Sequence, residues 1–197
     1  MRDGKGPSSQ IRAEESIARR LVHICIPLFL LYYAVPEDTW VGMDKRIVLS
    51  LVLAFFLVFE LVRMSYRTRV FGLRDYEMDR IGAYLWAGAG LTIAFLFFDF
   101  ILVVPAVIGM AWIDPLNGFL RNNDSGLYPW VPFVCYLMIA ILSLLYFSSL
   151  ALQEIVVISI TGAASGIAAE HVKIRFVDDD FLMLVVPLVL MTAVLSV

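Results

Sequence analysis

The sequence predicts an all-α integral membrane protein, a bundle of about seven transmembrane helices with the N-terminus in the cytoplasm and the C-terminus outside. Three observations carry this. The 197 residues are 61% hydrophobic and only 17% charged, with a mean hydropathy of +0.85, too little charge for a water-soluble domain of this length. The apolar residues fall into long runs separated by short charged punctuation, the lengths a bilayer demands of helices. Lys and Arg fall almost wholly on one side of those runs, 13 against 2, which sets the orientation by the positive-inside rule.

Residues 1–18 read as a cytoplasmic polar tail and 19–197 as a single polytopic domain. No cleavable signal peptide is expected, because the first apolar run starts near Leu21 with no small-residue cleavage site behind it. The first span runs from about Arg19 to Val35, and Pro36-Glu37-Asp38 turns the chain. The second runs from about Ile47 to Met64. Arg63 to Arg80, with Tyr66, Phe71 and Tyr76 interleaved, suits a segment at the lipid interface. The third and fourth spans, Ile81 to Phe98 and Phe100 to Ile113, are separated by Asp99 alone and predict a tight hairpin. A loop over 114–130 follows, then a fifth span from Val131 to Leu152. Gln153-Glu154 reads as a short turn before a sixth span from Ile155 to Ala169, and the last span runs from Phe181 to Val197.

The centre of the chain is Gly109-Met-Ala-Trp-Ile-Asp-Pro-Leu-Asn-Gly-Phe-Leu-Arg121. Apolar sequence runs straight into Asp114, and Pro115 and Gly118 are expected to break the backbone there. An ionisable group at a span end faces water, a partner or a metal, so Asp114 is a candidate floor for a site at a membrane face. The predicted topology puts Arg19, Arg20, His23, Glu60, Asp114, Glu170 and Asp178 to Asp180 at that same inner face. Asp178-Asp179-Asp180 sets three carboxylates side by side. Such a set suits Mg²⁺ with substrate phosphates, and equally a solvated acidic helix start. Arg19 and Arg20 lie four and three residues before His23, so one helical face presents an arginine beside the histidine. Glu60 and Arg63, one turn apart, read as an intramembrane ion pair that fixes packing. Asp79 is a candidate helix cap, and Arg80 a partner for Glu77 or Asp79, or for a phosphate.

Gly162-Ala-Ala-Ser-Gly166 and Gly88-Ala89-Gly90 read as close-packing faces, either within the bundle or between the subunits of a homodimer. Cys25 and Cys135 read as small core residues without a disulfide. There is no phosphate-cradling glycine loop with a lysine, which excludes a soluble-type nucleotide fold. A net charge of −3 supplies no basic surface for nucleic acid.

In order, the motifs are Arg19-Arg20-x-x-His23, Arg80-x-Gly82-x-Tyr84, Asp114-Pro115 with Gly118, and Glu170 ahead of Asp178-Asp179-Asp180. This order resembles the polyprenol kinase family, the CTP-dependent dolichol and phytol kinases with a CTP-dependent diacylglycerol kinase among them, and most of all its compact archaeal branch. The resemblance spans most of residues 19–187. It implies phosphorylation of a long-chain isoprenoid alcohol at the cytoplasmic face of a multi-pass cell membrane, or of the endoplasmic reticulum membrane in a eukaryote, with CTP as donor and Mg²⁺ as cofactor. On that resemblance His23, Asp114 and Glu170 would be catalytic. Arg19, Arg20, Arg80, Asn117 and Gly118 would bind nucleotide or phosphate. Asp114, Asp178 and Asp179 would hold the metal, with Glu170 orienting it or holding a second. The chain departs from the family pattern at Asn117, where the family has alanine, at Asp180, where it has asparagine, and at Pro187, about one turn late. The family's Lys-Thr-x-Glu-Gly segment is missing, and the loop Asn122 to Trp130 has no lysine. A cytidylyltransferase acting on a lipid phosphate, an inactive relative and a small transporter are the competing readings. The span-end placement of the ionisable residues argues against a transporter.

Overall fold

The computed structural model describes residues 18, 20–39, 42–68, 70, 73, 75–172, 174 and 176–196. Among the described residues seven longer helices follow one another, α1 (Arg20–Ala34), α2 (Lys45–Tyr66), α3 (Ala83–Phe97), α4 (Phe100–Asn122), α5 (Trp130–Phe147), α6 (Leu152–His171) and α7 (Asp179–Leu195), with a short 3₁₀ helix, Asp75–Asp79, ahead of α3. Among the described residues the β-structure is a single bridge between Asp38 and Asp44. Four helices, α2, α4, α5 and α6, are long and apolar enough to cross a membrane. The polar tail and Arg19 lie outside the described residues, Ala18 excepted, as do Arg69, Phe71, Arg74, Lys173, Arg175 and Val197.

Helix α1 changes type partway. From Ile26 to Ala34 it is a 3₁₀ helix with Pro27 in its first turn. Pro27 has no N–H to donate to the Ile24 carbonyl, and the Trp112 indole of α4 donates to that carbonyl instead at 3.4 Å. The 3₁₀ rise of about 2 Å per residue stretches the short helix to about 27 Å, close to a bilayer's hydrocarbon thickness. The loop after it is tied by Lys45 Nζ, which meets Glu37 at 3.1 Å and the Val35 carbonyl at 3.1 Å. The Asp44 carboxylate caps α2 by accepting from the Arg46 N–H at 2.7 Å.

Helix α4 is the central element. Leu102, Val103, Ala106, Val107 and Met110 are fully buried, and the helix packs on α1, α5, α6 and α7. Helix α7 adds Met183, Leu184, Leu188 and Met191, and α6 adds Ile158 and Ala163. Helix α2 stands outside this core and leans on α3, with most of its apolar residues, Phe55 to Phe59 among them, exposed.

Several expected boundaries move. The largest change is in α4, which does not break at Pro115 and Gly118 but continues to Asn122 with Pro105 and Pro115 inside it. A proline costs the helix one hydrogen bond, here to the carbonyl of Ala111, and neighbouring helices can hold the rest of the ladder in place. The loop is therefore 123–129 and not 114–130. The fifth helix stops at Phe147, where the Ser148 hydroxyl donates to the Leu144 carbonyl at 2.6 Å and Ser148 turns extended. Gln153 and Glu154 are the first turn of α6 and not a turn before it; the Glu154 carboxylate accepts from the Ala151 N–H at 2.8 Å. The α3–α4 connection is short, as predicted, but α3 packs mainly on α7 and α2. Asp79 does not cap α3: Gly82 occupies that position.

Two glycines let α4, α5 and α6 meet. Tyr136 of α5 is fully buried, and a Cβ on Gly109 or Gly166 would come within 2.3 or 2.4 Å of its ring. Gly162 likewise admits Met191, and Gly90 faces Phe181 and Leu184, while Gly88 faces open space and is no packing residue within the described chain. Cys25 is exposed and Cys135 half-buried, both as free thiols; Cys25 is thus not the core residue expected, because it falls on the outer face of α1.

Candidate functional site at the polar end of the bundle

The start of α1, the ends of α4 and α6 and the start of α7 meet at one end of the bundle, which gathers the predicted residues from distant parts of the chain. His23 lies between two carboxylates, with Nδ1 3.9 Å from Asp114 Oδ2 and Nε2 3.6 Å from Asp180 Oδ2. One ligand atom from each of His23, Asp114 and Asp180 can lie within 4.8 Å of the others, and the same holds for Asp178, Asp179 and Asp180. Asp180 is buried and belongs to both groups. It is the junction of the cluster, although the resemblance assigned the metal to Asp114, Asp178 and Asp179. The carboxylate oxygens of these side chains fit a hard divalent cation, and the imidazole is the donor of the set that suits such a cation least.

Two turns along the same face of α4, Arg121 Nη1 donates to Glu170 Oε1 at 2.9 Å. Glu170 is 1% exposed and Arg121 47%, so a buried carboxylate holds a cation at the surface. Tyr128, from the α4–α5 loop, stacks on His171 and places its hydroxyl 3.0 Å from His171 Nε2 and 3.4 Å from Glu170 Oε2. His171 Nδ1 sits 2.9 Å from the Ile167 carbonyl. A carbonyl only accepts, so Nδ1 carries a proton, and Nε2 faces the Tyr128 hydroxyl. Burial, with the Glu170 carboxylate beside it, pushes the Tyr128 phenol above its ordinary range, so it stays a hydroxyl donor at neutral pH. Asp114 and Asp179 lie within charge–charge reach of Glu170, which joins the two clusters into one polar surface.

Asn117 sits between Asp114 and Arg121 on α4, one turn from each. It is fully buried, and neither its Oδ1 nor its Nδ2 has a hydrogen-bond partner among the described residues. Gly118 borders open space. Arg20 is exposed at the start of α1, and Arg80 is exposed beside α3.

The Glu60–Arg63 pair is as expected and has more partners than its spacing shows. Arg63 Nε and Nη2 meet the Glu60 carboxylate at 2.7 and 2.8 Å, and both residues are buried. Arg63 Nη2 also donates to the carbonyls of Glu77 at 3.0 Å and Arg80 at 2.7 Å. Glu60 accepts from the Gly82 N–H at 2.6 Å and from the Tyr84 hydroxyl. Gly82 and Tyr84 therefore serve this joint between α2 and α3.

Sequence reasoning missed Arg121, Tyr128 and His171 as neighbours of Glu170. The seven-residue spacing of Asp114 and Arg121 would have signalled it, had the helix been carried through Pro115.

Fold and site together define a helical bundle with four helices able to cross a membrane and a histidine–carboxylate cluster at one end. Compared with models of protein families, with curated proteins and with solved structures, the chain finds no match.

Proposed function

We propose that the chain is a membrane-embedded kinase that transfers a phosphoryl group from a nucleoside triphosphate, CTP by resemblance, to a long-chain isoprenoid alcohol. In this reading all seven helices span the bilayer, with the N-terminus in the cytoplasm and the polar end at the cytoplasmic face. The observation that carries it is the convergence of His23, Asp114 and Asp180 at the end of an otherwise apolar bundle. An isoprenoid alcohol is confined to lipid and a nucleotide to water, so their reaction must occur where such groups meet the interface.

Phosphoryl transfer asks mainly for positioning and charge neutralisation. Asp114, Asp178, Asp179 and Asp180 would hold Mg²⁺, which when bound neutralises phosphate oxygens. Arg20 and Arg80, with Arg19 outside the described residues, would approach the phosphates from the rim. The alcohol oxygen attacks the terminal phosphorus, the bridging P–O bond breaks to leave the nucleoside diphosphate, and His23 or a spare carboxylate accepts the alcohol proton. Product analysis tests the reading. The kinase releases CDP, whereas a cytidylyltransferase acting on a lipid phosphate releases pyrophosphate; pyrophosphate as the sole product would overturn the proposal.

A further inference from the structure

We infer that Arg121, aimed by the buried Glu170 and flanked by Tyr128 and His171, is a polyphosphate-binding cation of this chain. The inference rests on the proposed function for its nucleotide, though not for its anion. Three observations support it. Arg121 is 47% exposed yet held in place, because its Nη1 donates to Glu170, whose carboxylate is 1% exposed. A long arginine ordinarily loses side-chain entropy on meeting a ligand; here a protein carboxylate has already ordered it, while its planar fork keeps further donors for phosphate oxygens. Second, Tyr128 holds a neutral hydroxyl beside it, and His171 is an exposed imidazole next to that hydroxyl, so two more polar groups converge on the same spot.

Third, Asp114, Asn117 and Arg121 form a stripe along one face of α4. Asp114 belongs to the carboxylate cluster. Arg121 lies about 10 Å further along the helix axis. Between them Asn117 keeps both amide atoms buried without a partner. Native proteins rarely leave a carboxamide so, and a polar ligand or its water seated along this stripe would satisfy it. An extended polyanion could engage a cation held by the carboxylates at one end and Arg121 at the other.

The test uses the full chain in detergent with Mg²⁺ and inorganic tripolyphosphate. Arginine modification by phenylglyoxal is followed residue by residue by mass spectrometry. Saturating tripolyphosphate is expected to slow modification of Arg121 several-fold and leave Arg67, exposed just past the end of α2, unchanged. Equal rates at Arg121 with and without the anion, or no binding of tripolyphosphate, overturn the inference. In parallel, Arg121→Gln is expected to raise the nucleotide KM about tenfold or more, the worth of a charge-assisted hydrogen bond, with the lipid KM unmoved. Arg121→Lys, which keeps the charge but not the fork, is expected to fall between. An unchanged nucleotide KM in a working kinase refutes the inference and leaves the kinase reading intact. Protection of Arg121 without any transfer to lipid supports the anion site and refutes the kinase reading.

Discussion

Removing Glu60 alone should cost far more than removing Glu60 and Arg63 together. Arg63 is 2% exposed and Glu60 1%, so neither charge can recover its water. Glu60→Leu strips the counter-charge from a buried guanidinium and orphans the Gly82 N–H and the Tyr84 hydroxyl. A buried pair broken from one side costs about 3–5 kcal/mol. The double variant Glu60→Leu/Arg63→Met removes both charges of the pair and leaves the unpaired groups of Gly82 and Tyr84 and two carbonyls. Part of that cost is recovered by apolar packing, and about 1–3 kcal/mol remains. The cycle of wild type, two single variants and the double should therefore show a coupling of about 2 kcal/mol or more. Reversible unfolding in mixed micelles, followed by circular dichroism, measures all four corners. If the double variant is as unstable as the sum of the singles, the pair does not act as one neutralised unit and the reasoning is wrong.

Gly166→Ala should destabilise the bundle by about 1–3 kcal/mol in the same unfolding assay, because the new methyl would come within 2.4 Å of the Tyr136 ring, which Gly109 crowds from the other side. Tyr136→Phe should be neutral or stabilising, since the phenol is buried without a hydrogen-bond partner among the described residues; a clear loss of stability would reveal a partner. Asp114→Asn should lower kcat about a hundredfold or more in folded protein, and activity near the parent level would remove Asp114 from the site. Chelation of divalent ions should stop the reaction and added Mg²⁺ restore it, whereas transfer persisting in chelator would exclude the metal role. For the proposed orientation, Glu37→Cys in a background lacking Cys25 and Cys135 should react with an impermeant maleimide from outside intact cells. Arg67→Cys should react only after the membrane is opened, and the reverse pattern would invert the topology.

The number and order of the helices could be read from hydropathy because each is built on an apolar run, four of them long enough to cross a membrane. The helix ends were less legible. Proline and glycine stop helices in water, but α4 packs on α1, α5, α6 and α7, which can hold its backbone in register past Pro115, so α4 ran eight residues past Asp114 to Asn122. Ser148 did the opposite: its hydroxyl took a helix carbonyl and ended α5 inside an apolar run. Within the site, His23, Asp114 and Asp178 to Asp180 stood out because charges are costly near lipid. That Asp180 rather than Asp179 meets His23 depends on the rotation of α7, which packing against α3, α4 and α6 sets. Arg121, Tyr128 and His171 were hidden for the same reason: an arginine after a supposed loop, a loop tyrosine and a lone histidine share no local spacing. The Glu60–Arg63 pair was legible from one helical turn, but its links to Glu77, Arg80, Gly82 and Tyr84 cross from α2 to the start of α3 and needed the fold.

The most direct test of the central claim supplies purified protein with Mg²⁺, γ-labelled CTP or ATP, and a panel of dolichol, geranylgeraniol, phytol and diacylglycerol. The account predicts label moving into one of the isoprenoid alcohols, with loss of transfer in Asp114→Asn. No transfer from either nucleotide to any lipid, in protein shown to be folded and able to bind Mg²⁺, would contradict it.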